Sequence, residues 1–257
     1  MPEGTIHLSA LMCGEHRSEV IARIKESLAA GGAVRVVSTQ LVEAGVDIDF
    51  PVVYRAMAGL DSIAQAAGRC NREGKLNKLG RLGRVQVFMP PKPSSQGLLA
   101  KGEKTCQELT QLSDFDPQRP ESYHRYFEHF YARLNDDGKN WLRDNLLPDR
   151  REFSLNLRTA GSQFKLIDDQ AREPVLVSFA GSGPLLEKLR AQGPSRDLLR
   201  RLQRFTVSLS RRDAARARDN GLLEELAPGF WHWRGKYDEV FGLDLFGAGW
   251  AVEDLYQ

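Results

Sequence analysis

Hydrophobic and polar residues at the start of the chain follow a strand, helix, strand pattern. Residues 5–10 alternate weakly, residues 16–30 repeat their apolar positions at helical spacing, and residues 34–38 form an apolar β-branched run. Val20 and Ile24 lie on one face of the predicted helix. Two strands joined through a helix should be parallel, with a right-handed crossover.

The segment 34–74 has the most informative pattern in the chain. We predict buried strands at 34–38 and 52–54, since both are apolar and rich in valine. Polar side chains follow the first of these strands where it ends. We predict a helix at 62–72, with Asp61 as its N-cap.

Two arginines of the predicted helix have the chemistry of a polyphosphate site. Gln65, Arg69 and Arg72 have spacings of four and three, which would place them on one helical face. A guanidinium presents a planar fork of donors to phosphate oxygens and keeps its charge near neutral pH. Such a pair alone is more typical of a solvated basic helix face. The upstream Gly45 and Asp47 favour the phosphate site.

The rest of the chain predicts shorter elements. We expect helices at 98–112, 121–134, 155–164, 184–190 and 196–204, strands at 84–88, 175–179, 206–209 and 230–234, and linker composition at 90–96. The aromatic residues of helix 121–134 would form either a base-stacking platform or a packing face, and their spacing favours packing. His124 and His129 are interpreted as structural.

Charged and aromatic residues near the C-terminus leave several interpretations open. Asp168 and Asp169 are interpreted as part of a turn, and the tryptophans as core or interface anchors. Eight arginines lie close together, offset only by Asp197 and Asp213: Arg196, Arg200, Arg201, Arg204, Arg211, Arg212, Arg216 and Arg218. Three interpretations of this cluster are open: it binds phosphates, it lies solvated on helix faces, or it contacts an acidic partner.

Composition narrows the class of protein. The chain has 257 residues, of which 41% are hydrophobic and 27% charged, as in ordinary globular proteins. A net charge of +2 gives no general nucleic-acid signature, so any such site must be local. The three cysteines are far apart, which fits a reducing cytosol. No apolar run approaches the ~20 residues of a membrane span.

Two sequence motifs resemble a known family. Residues 38–47, STQLVEAGVD, resemble motif V of superfamily 2 helicases, and residues 65–72, QAAGRCNR, resemble motif VI. With Asp49 and Arg55, the run most resembles the CRISPR-associated helicase-nuclease of type I systems. One departure is Ala66, where many superfamily members carry an arginine.

The resemblance implies a role for each matched residue. Arg69 and Arg72 would be catalytic arginine fingers that reach ATP on a first RecA-like lobe. Gly45, Asp47 and Gln65 would contact the nucleotide. Nucleic acid would be contacted by Ser9, Arg17, Thr39, Gln40 and Glu43. For Ser9, an ordinary strand-end hydroxyl is an equally good interpretation. No metal ligand is implied in this chain.

The resemblance also implies an α/β architecture in three parts. Residues 1–92 would form an incomplete second RecA-like lobe, a parallel sheet with flanking helices. Residues 93–150 would form a helical linker, and residues 151–257 a small mixed α/β accessory domain. The complete enzyme would use ATP and magnesium, held mainly by the first lobe, with no cofactor expected in this chain alone.

The implied partners are single-stranded DNA, a crRNA-guided surveillance complex, and the first lobe and HD nuclease domain of a complete protein. The implied location is the prokaryotic cytoplasm, with no membrane partner. The sequence has no Gly-x-x-x-x-Gly-Lys-[Ser/Thr] loop, no Asp-Glu-x-His or Asp-Glu-Ala-Asp box, and no His-Asp pair. We therefore expect that this chain alone neither hydrolyses ATP nor cuts DNA.

Three hypotheses follow from these observations. The first is a C-terminal fragment of the CRISPR-associated helicase-nuclease. The second is a non-catalytic module that binds the surveillance complex or DNA. The third is a fragment of another superfamily 2 helicase. A natural start at Met1 would favour the second, and an upstream reading frame with the missing signatures would favour the first.

Overall fold

The structure is a computed structural model that describes residues 4–43, 45–91, 97–134, 157 and 172–245. Two compact units are present: Met1–Arg55 with Ala64–Val87 and Gln170–Gln257, and Ala56–Ile63 with Phe88–Asp169. The predicted division into three parts stays a prediction. The Asp168–Asp169 turn, Trp250 and all of helix 155–164 except Leu157 lie outside the described residues.

The first unit opens with the predicted strand, helix, strand arrangement. The elements are β1 (Thr5–Leu8), α1 (Gly14–Ala29) and β2 (Arg35–Ser38). β1 and β2 are parallel, in register from Thr5 opposite Arg35 to Leu8 opposite Ser38. Leu8, Val20 and Ile24 are buried in one apolar cluster with Val46 and Ile48. The prediction of a parallel pair joined by a helix is confirmed.

The next two strands are β3 (Val52–Ala56) and β4 (Arg84–Phe88), which pair with each other. The prediction of buried strands at 34–38 and 52–54 is wrong for one face of each strand. Val37 is 54% exposed, Val52 37% and Tyr54 60%, whereas Val36 and Val53 are partly buried. Successive side chains of a strand point to opposite faces, so a continuous apolar run does not by itself show that both are covered.

The helix of the central segment is shorter than predicted. α2 spans Leu60–Ala67, so it begins one residue before Asp61, which lies in its first turn rather than at its N-cap. Arg69 and Arg72 follow the end of the helix and do not share a helical face with Gln65. The cause is a long-range contact, because Phe50 forms a parallel β-bridge with Cys70. That pairing competes with helical hydrogen bonds.

The second unit is built on two helices, α3 (Gly97–Thr110) and α4 (Pro120–Arg133). Tyr126 of α4 is 1% exposed, packs with Leu60, Cys106 and Leu109, and donates a hydrogen bond to Asp61 at 3.2 Å. The expected packing face is therefore present. His124 is exposed and lies beside Glu128, in agreement with a structural interpretation.

The C-terminal part of the first unit is a mixed sheet with three helices. The strands are β5 (Arg172–Leu176), β6 (Thr206–Ser210), β7 (Leu223–Ala227) and β8 (Phe230–Trp233), in the order β6-β5-β8-β7. The helices are α5 (Gly183–Gln192), α6 (Arg196–Leu202) and α7 (Arg211–Asp219), and a short hairpin of β9 (Tyr237–Asp238) and β10 (Gly242–Leu243) follows. The predicted α/β class is confirmed.

Hydrogen bonds join this C-terminal part to the beginning of α1. Tyr237 accepts a bond from the Cys13 amide at 2.9 Å and lies 3.0 Å from Nδ1 of His16. The Leu243 amide donates to the carbonyl of Leu11 at 2.9 Å. Since His16 is 3% exposed, this contact belongs to the interior of the unit.

Candidate functional site

Arg69 is fixed at both its main chain and its side chain. Its carbonyl accepts a hydrogen bond from the Phe50 amide at 2.9 Å, next to the Phe50–Cys70 bridge. Its guanidinium donates from Nε to the carbonyl of Val42 and from Nη2 to the carbonyl of Glu43, both at 2.8 Å. The side chain is partly buried. Arg69 therefore connects the segment after α2 to the short 3-10 turn Gln40–Val42 that follows β2.

Glu43 is held at a second point. Its carboxylate forms an ion pair with Arg55 of β3 at 2.8 Å, and both side chains are largely buried, at 11% and 17% exposure. A partly buried ion pair of this kind is screened by salt less than a surface pair. The polar residues after β2 are thus attached to β3 and to the segment after α2.

Arg72 has a different environment. Its side chain is 42% exposed and pairs with Asp47, which is 68% exposed, at 3.1 Å. Its main-chain amide donates to Oδ1 of Asp49 at 2.7 Å. An exposed ion pair stabilises a protein by only about 0–1 kcal/mol. The backbone of Arg72 is therefore anchored, while its guanidinium is released at small cost.

The turn between the two arginines has its own support. Asn71 has a φ of +47°, in the left-handed region that asparagine tolerates better than most residues. Its side-chain oxygen accepts from the Leu76 amide at 2.9 Å, and its side-chain amide donates to Asn77 at 2.9 Å. Sequence reasoning missed this residue. The available signal was an asparagine in the last turn of the helix predicted at 62–72.

Cys70 lies beneath this turn. Its sulfur is 3.5 Å from the carbonyl oxygen of Pro51 and 3.4 Å from that of Arg84. Burial raises the pKa of the Cys70 thiol, so the group stays protonated near neutral pH. Its role is to support the segment that carries the arginines.

The other predicted nucleotide contacts are only partly brought together. Asp47 meets Arg72 directly, and Gly45, with a φ of +73°, lies two residues before it. Gln65 is exposed on α2, and its side chain makes no hydrogen bond to another described residue. Asp47 and Arg72 thus form an exposed pair, and the exposed Gly45 precedes Asp47 along the chain.

The predicted nucleic-acid contacts differ in exposure. Thr39 and Gln40 are exposed after β2, and Arg17 is partly buried on α1. Ser9 is 3% exposed, and its hydroxyl oxygen lies 3.3 Å from the Leu11 amide, which donates to it. Leu41 alone separates the exposed pair Thr39 and Gln40 from Val42 and Glu43, whose carbonyls accept from Arg69.

A cluster of metal ligands and a membrane-spanning helix are both absent from the described residues. Within that part of the chain, no group of three or more His, Cys, Asp or Glu side chains is placed to hold a metal ion. None of the described helices has the length and apolar character needed to cross a membrane.

Comparison with known proteins identifies relatives. Residues 2–75 match the family model described as CRISPR-associated nuclease/helicase Cas3, C-terminal. The CRISPR-associated nuclease/helicase Cas3 of Haloferax volcanii is 36% identical over 100 residues, covering 37% of this chain and 10% of that protein. The chain thus spans about a tenth of the length of this curated relative.

Solved structures show the same fold over most of the chain. T. fusca Cas3 superposes with a TM-score of 0.56 at 17% identity, over 93% of this chain and 33% of that chain. T. fusca Cas3-ATP superposes with a TM-score of 0.52 at 17% identity, over 90% of this chain and 32% of that chain. The predicted resemblance is confirmed: residues 2–75 match the C-terminal part of the Cas3 helicase-nuclease family, and most of the chain shares the fold of T. fusca Cas3.

Proposed function

We propose that this chain supplies the arginine-bearing half of an ATP site in an ATP-dependent translocase that moves on single-stranded DNA during CRISPR interference. The observation that carries this proposal is the state of Arg72. Its main chain is anchored to Asp49 at 2.7 Å, while the one contact of its guanidinium among the described residues is an exposed ion pair with Asp47. Such a group is positioned yet exchanges its partner readily.

The geometry supports different roles for the two predicted finger positions. Arg72 would exchange the Asp47 carboxylate for phosphate oxygens, where its charge stabilises the transferring phosphoryl group. Arg69 already uses two donors on the carbonyls of Val42 and Glu43. Arg69 would therefore hold those two carbonyls in a fixed position relative to Arg72. Gly45 and Gln65 would be further nucleotide contacts, as the family resemblance implies.

The same contacts suggest how nucleotide state reaches the DNA strand. Arg69 connects the turn that bears Arg72 to the carbonyls of Val42 and Glu43, which Leu41 separates from Thr39 and Gln40. A displacement of Arg72 toward phosphate would be transmitted through this connection to the exposed Thr39 and Gln40. These two side chains would then contact the DNA backbone.

The residues of this chain fit one side of a magnesium-ATP complex. Guanidinium donors suit phosphate oxygens, whereas the described residues contain no group of three or more His, Cys, Asp or Glu side chains placed to hold a metal ion. When bound, ATP with magnesium supplies the transferable phosphoryl group and the charge-neutralising metal ion. A first RecA-like lobe would hold both, as the resemblance implies.

The experiment is ATP hydrolysis stimulated by single-stranded DNA, measured for this chain alone and mixed with a polypeptide that carries the first lobe and HD nuclease domain. We expect no turnover by the chain alone and turnover on mixing. Turnover by the chain alone would contradict the proposal. If neither the chain alone nor the mixture hydrolyses ATP, but the chain still binds DNA, a non-catalytic binding module is favoured instead.

A further inference from the structure

The short helix α6 (Arg196–Leu202) presents a face of arginines that lack partners among the described residues. Arg196, Arg200 and Arg201 are exposed, and within the described residues their side chains form no ion pair or hydrogen bond. Leu198 and Leu202, four residues apart, are 3% and 1% exposed and face the core. Helical geometry therefore directs the three arginines outward together.

The free charge on this helix contrasts with the neighbouring arginines. Arg204 pairs with Glu15, and Arg218 forms a two-pronged contact with Glu173 at 2.6 and 3.1 Å while lying 5.2 Å from the ring of Trp231. Those two arginines serve the fold. Asp197 is the single acidic residue on α6, so the exposed face keeps a net positive charge.

The surroundings favour a polyphosphate strand over an acidic protein. Protein interfaces depend on buried apolar and aromatic anchors at their centre. Between residues 172 and 239, all described, no large hydrophobic side chain is exposed. Phosphodiester backbones, in contrast, are bound by charge and by the planar donor fork of arginine, and need no apolar anchor.

The position of α6 adds a second argument. The backbone of Arg204, just past the helix, packs against Gly14, since a Cβ at Gly14 would lie 3.3 Å from the Arg204 carbonyl oxygen. Gly14 begins α1, which carries Arg17 one turn later. Arg17, which the family resemblance assigns to nucleic acid, therefore lies on the helix whose first residue packs beside the segment that follows α6.

We propose that Arg196, Arg200 and Arg201 form a nucleic-acid-binding surface that holds the phosphodiester backbone of a single strand. No exposed aromatic ring is available in the described residues of α6 for base stacking, so the surface binds the strand without sequence preference. This surface is separate from Arg69 and Arg72. Its test is therefore binding, and its failure is distinguishable from a failure of the proposed ATPase role.

The experiment measures binding of the whole chain to a fluorescein-labelled thirty-nucleotide oligothymidine by anisotropy, over a series of salt concentrations. The test variant carries Arg196→Ala, Arg200→Ala and Arg201→Ala. The matched control carries Lys25→Ala, Lys101→Ala and Lys104→Ala, which removes the same charge from exposed lysines elsewhere. Circular dichroism checks that both variants are folded.

We expect the test variant to bind about tenfold or more weakly at low salt, with a slope of log Kd against log salt that is smaller by about 2, as three lost phosphate contacts predict. The control should stay close to the parent. An oligouridine of the same length should compete equally well. No binding by the parent, or equal losses in both variants, would overturn the proposal. Binding of polyglutamate but not oligothymidine would assign the surface to an acidic protein.

Discussion

Nη2 of Arg69 donates a hydrogen bond to the main-chain carbonyl of Glu43 at 2.8 Å. Nε of Arg69 donates a second bond, to the carbonyl of Val42. Through these two bonds, a side chain of segment 65–72 holds the main chain of segment 38–47. Bonds from a charged donor to carbonyls in a partly buried site are stronger than the exposed pair that holds Arg72. The two arginines should therefore respond differently to the same substitution.

Replacing Arg69 with alanine should destabilise the first unit. The Val42 and Glu43 carbonyls would both lose a charged donor, and we expect the free energy of unfolding to fall by about 2 kcal/mol. Urea denaturation followed by circular dichroism measures this change. Arg81→Ala is the control, because Arg81 is exposed and its side chain has no partner among the described residues. Equal stability of the two variants would mean that the hydrogen bonds from Arg69 to Val42 and Glu43 do not stabilise the unit.

Replacing Arg72 with alanine should leave stability nearly intact and remove activity. The lost surface pair contributes at most about 1 kcal/mol. In the reconstituted enzyme, DNA-stimulated ATP turnover should fall by about a thousandfold or more, as for other arginine fingers. Single-stranded DNA binding should persist. Turnover within tenfold of the parent enzyme would remove Arg72 from the ATP site.

The conservative variant Arg72→Lys separates charge from geometry. A lysine keeps the positive charge but loses the planar fork that contacts two oxygens at once. We expect it to restore only part of the turnover lost in Arg72→Ala. Complete rescue would mean that charge alone is required at this position.

The sequence predicted the bounds of some strands and missed those of others. Strand β4 is found at Arg84–Phe88, the predicted bounds, because glycines precede it and prolines follow it. Strand β5 spans Arg172–Leu176 instead of the predicted 175–179, and β7 (Leu223–Ala227) was not predicted. The helix before Arg69 was predicted too long, since the bridge from Phe50 to Cys70 is a contact between distant residues. No local propensity encodes that contact.

Helix α7 (Arg211–Asp219) shows a second limit. It buries only Ala214 and Ala217, so it lacks the large apolar residues from which a helical period is recognised. The candidate site has a similar limit. Motif spacing predicted that Arg69 and Arg72 matter, but their partners include main-chain carbonyls, which every residue carries and no sequence pattern marks.

Replacing Gly242 with alanine should weaken the joint between β10 and the start of α1. Gly242 has a φ of +85°, and an added Cβ would lie 2.4 Å from the carbonyl oxygen of Leu11. Strain and overlap add, so we expect a loss of about 3 kcal/mol or more in unfolding free energy.

Gly229→Ala is the matched control for this substitution. Gly229 has a φ of +80°, but an added Cβ there would meet nothing within 4 Å. It should cost only the backbone strain of about 1 kcal/mol. Urea denaturation of both variants measures the difference, and equal losses would mean that the contact with Leu11 relaxes freely.

Stability should fall below about pH 6.5 because of His16. Its Nε2 lies 3.0 Å from the Glu239 carbonyl, which only accepts, so Nε2 carries the proton and Nδ1 accepts from Tyr237. Burial lowers the pKa of His16 below the value of the unfolded chain. The unfolded chain therefore binds more protons as the pH falls, and folding loses stability from the unfolded pKa downward.

The measurement is the Tm of the chain between pH 7.5 and about pH 5, followed by circular dichroism. Burial lowers the pKa of His7 and His232 as well, so both contribute to the same decline. In His16→Gln, glutamine keeps a donor and an acceptor but does not titrate. We expect that variant to show a smaller decline of Tm than the parent. If the Tm of His16→Gln declines with pH as much as that of the parent, protonation of His16 is not the cause of the decline.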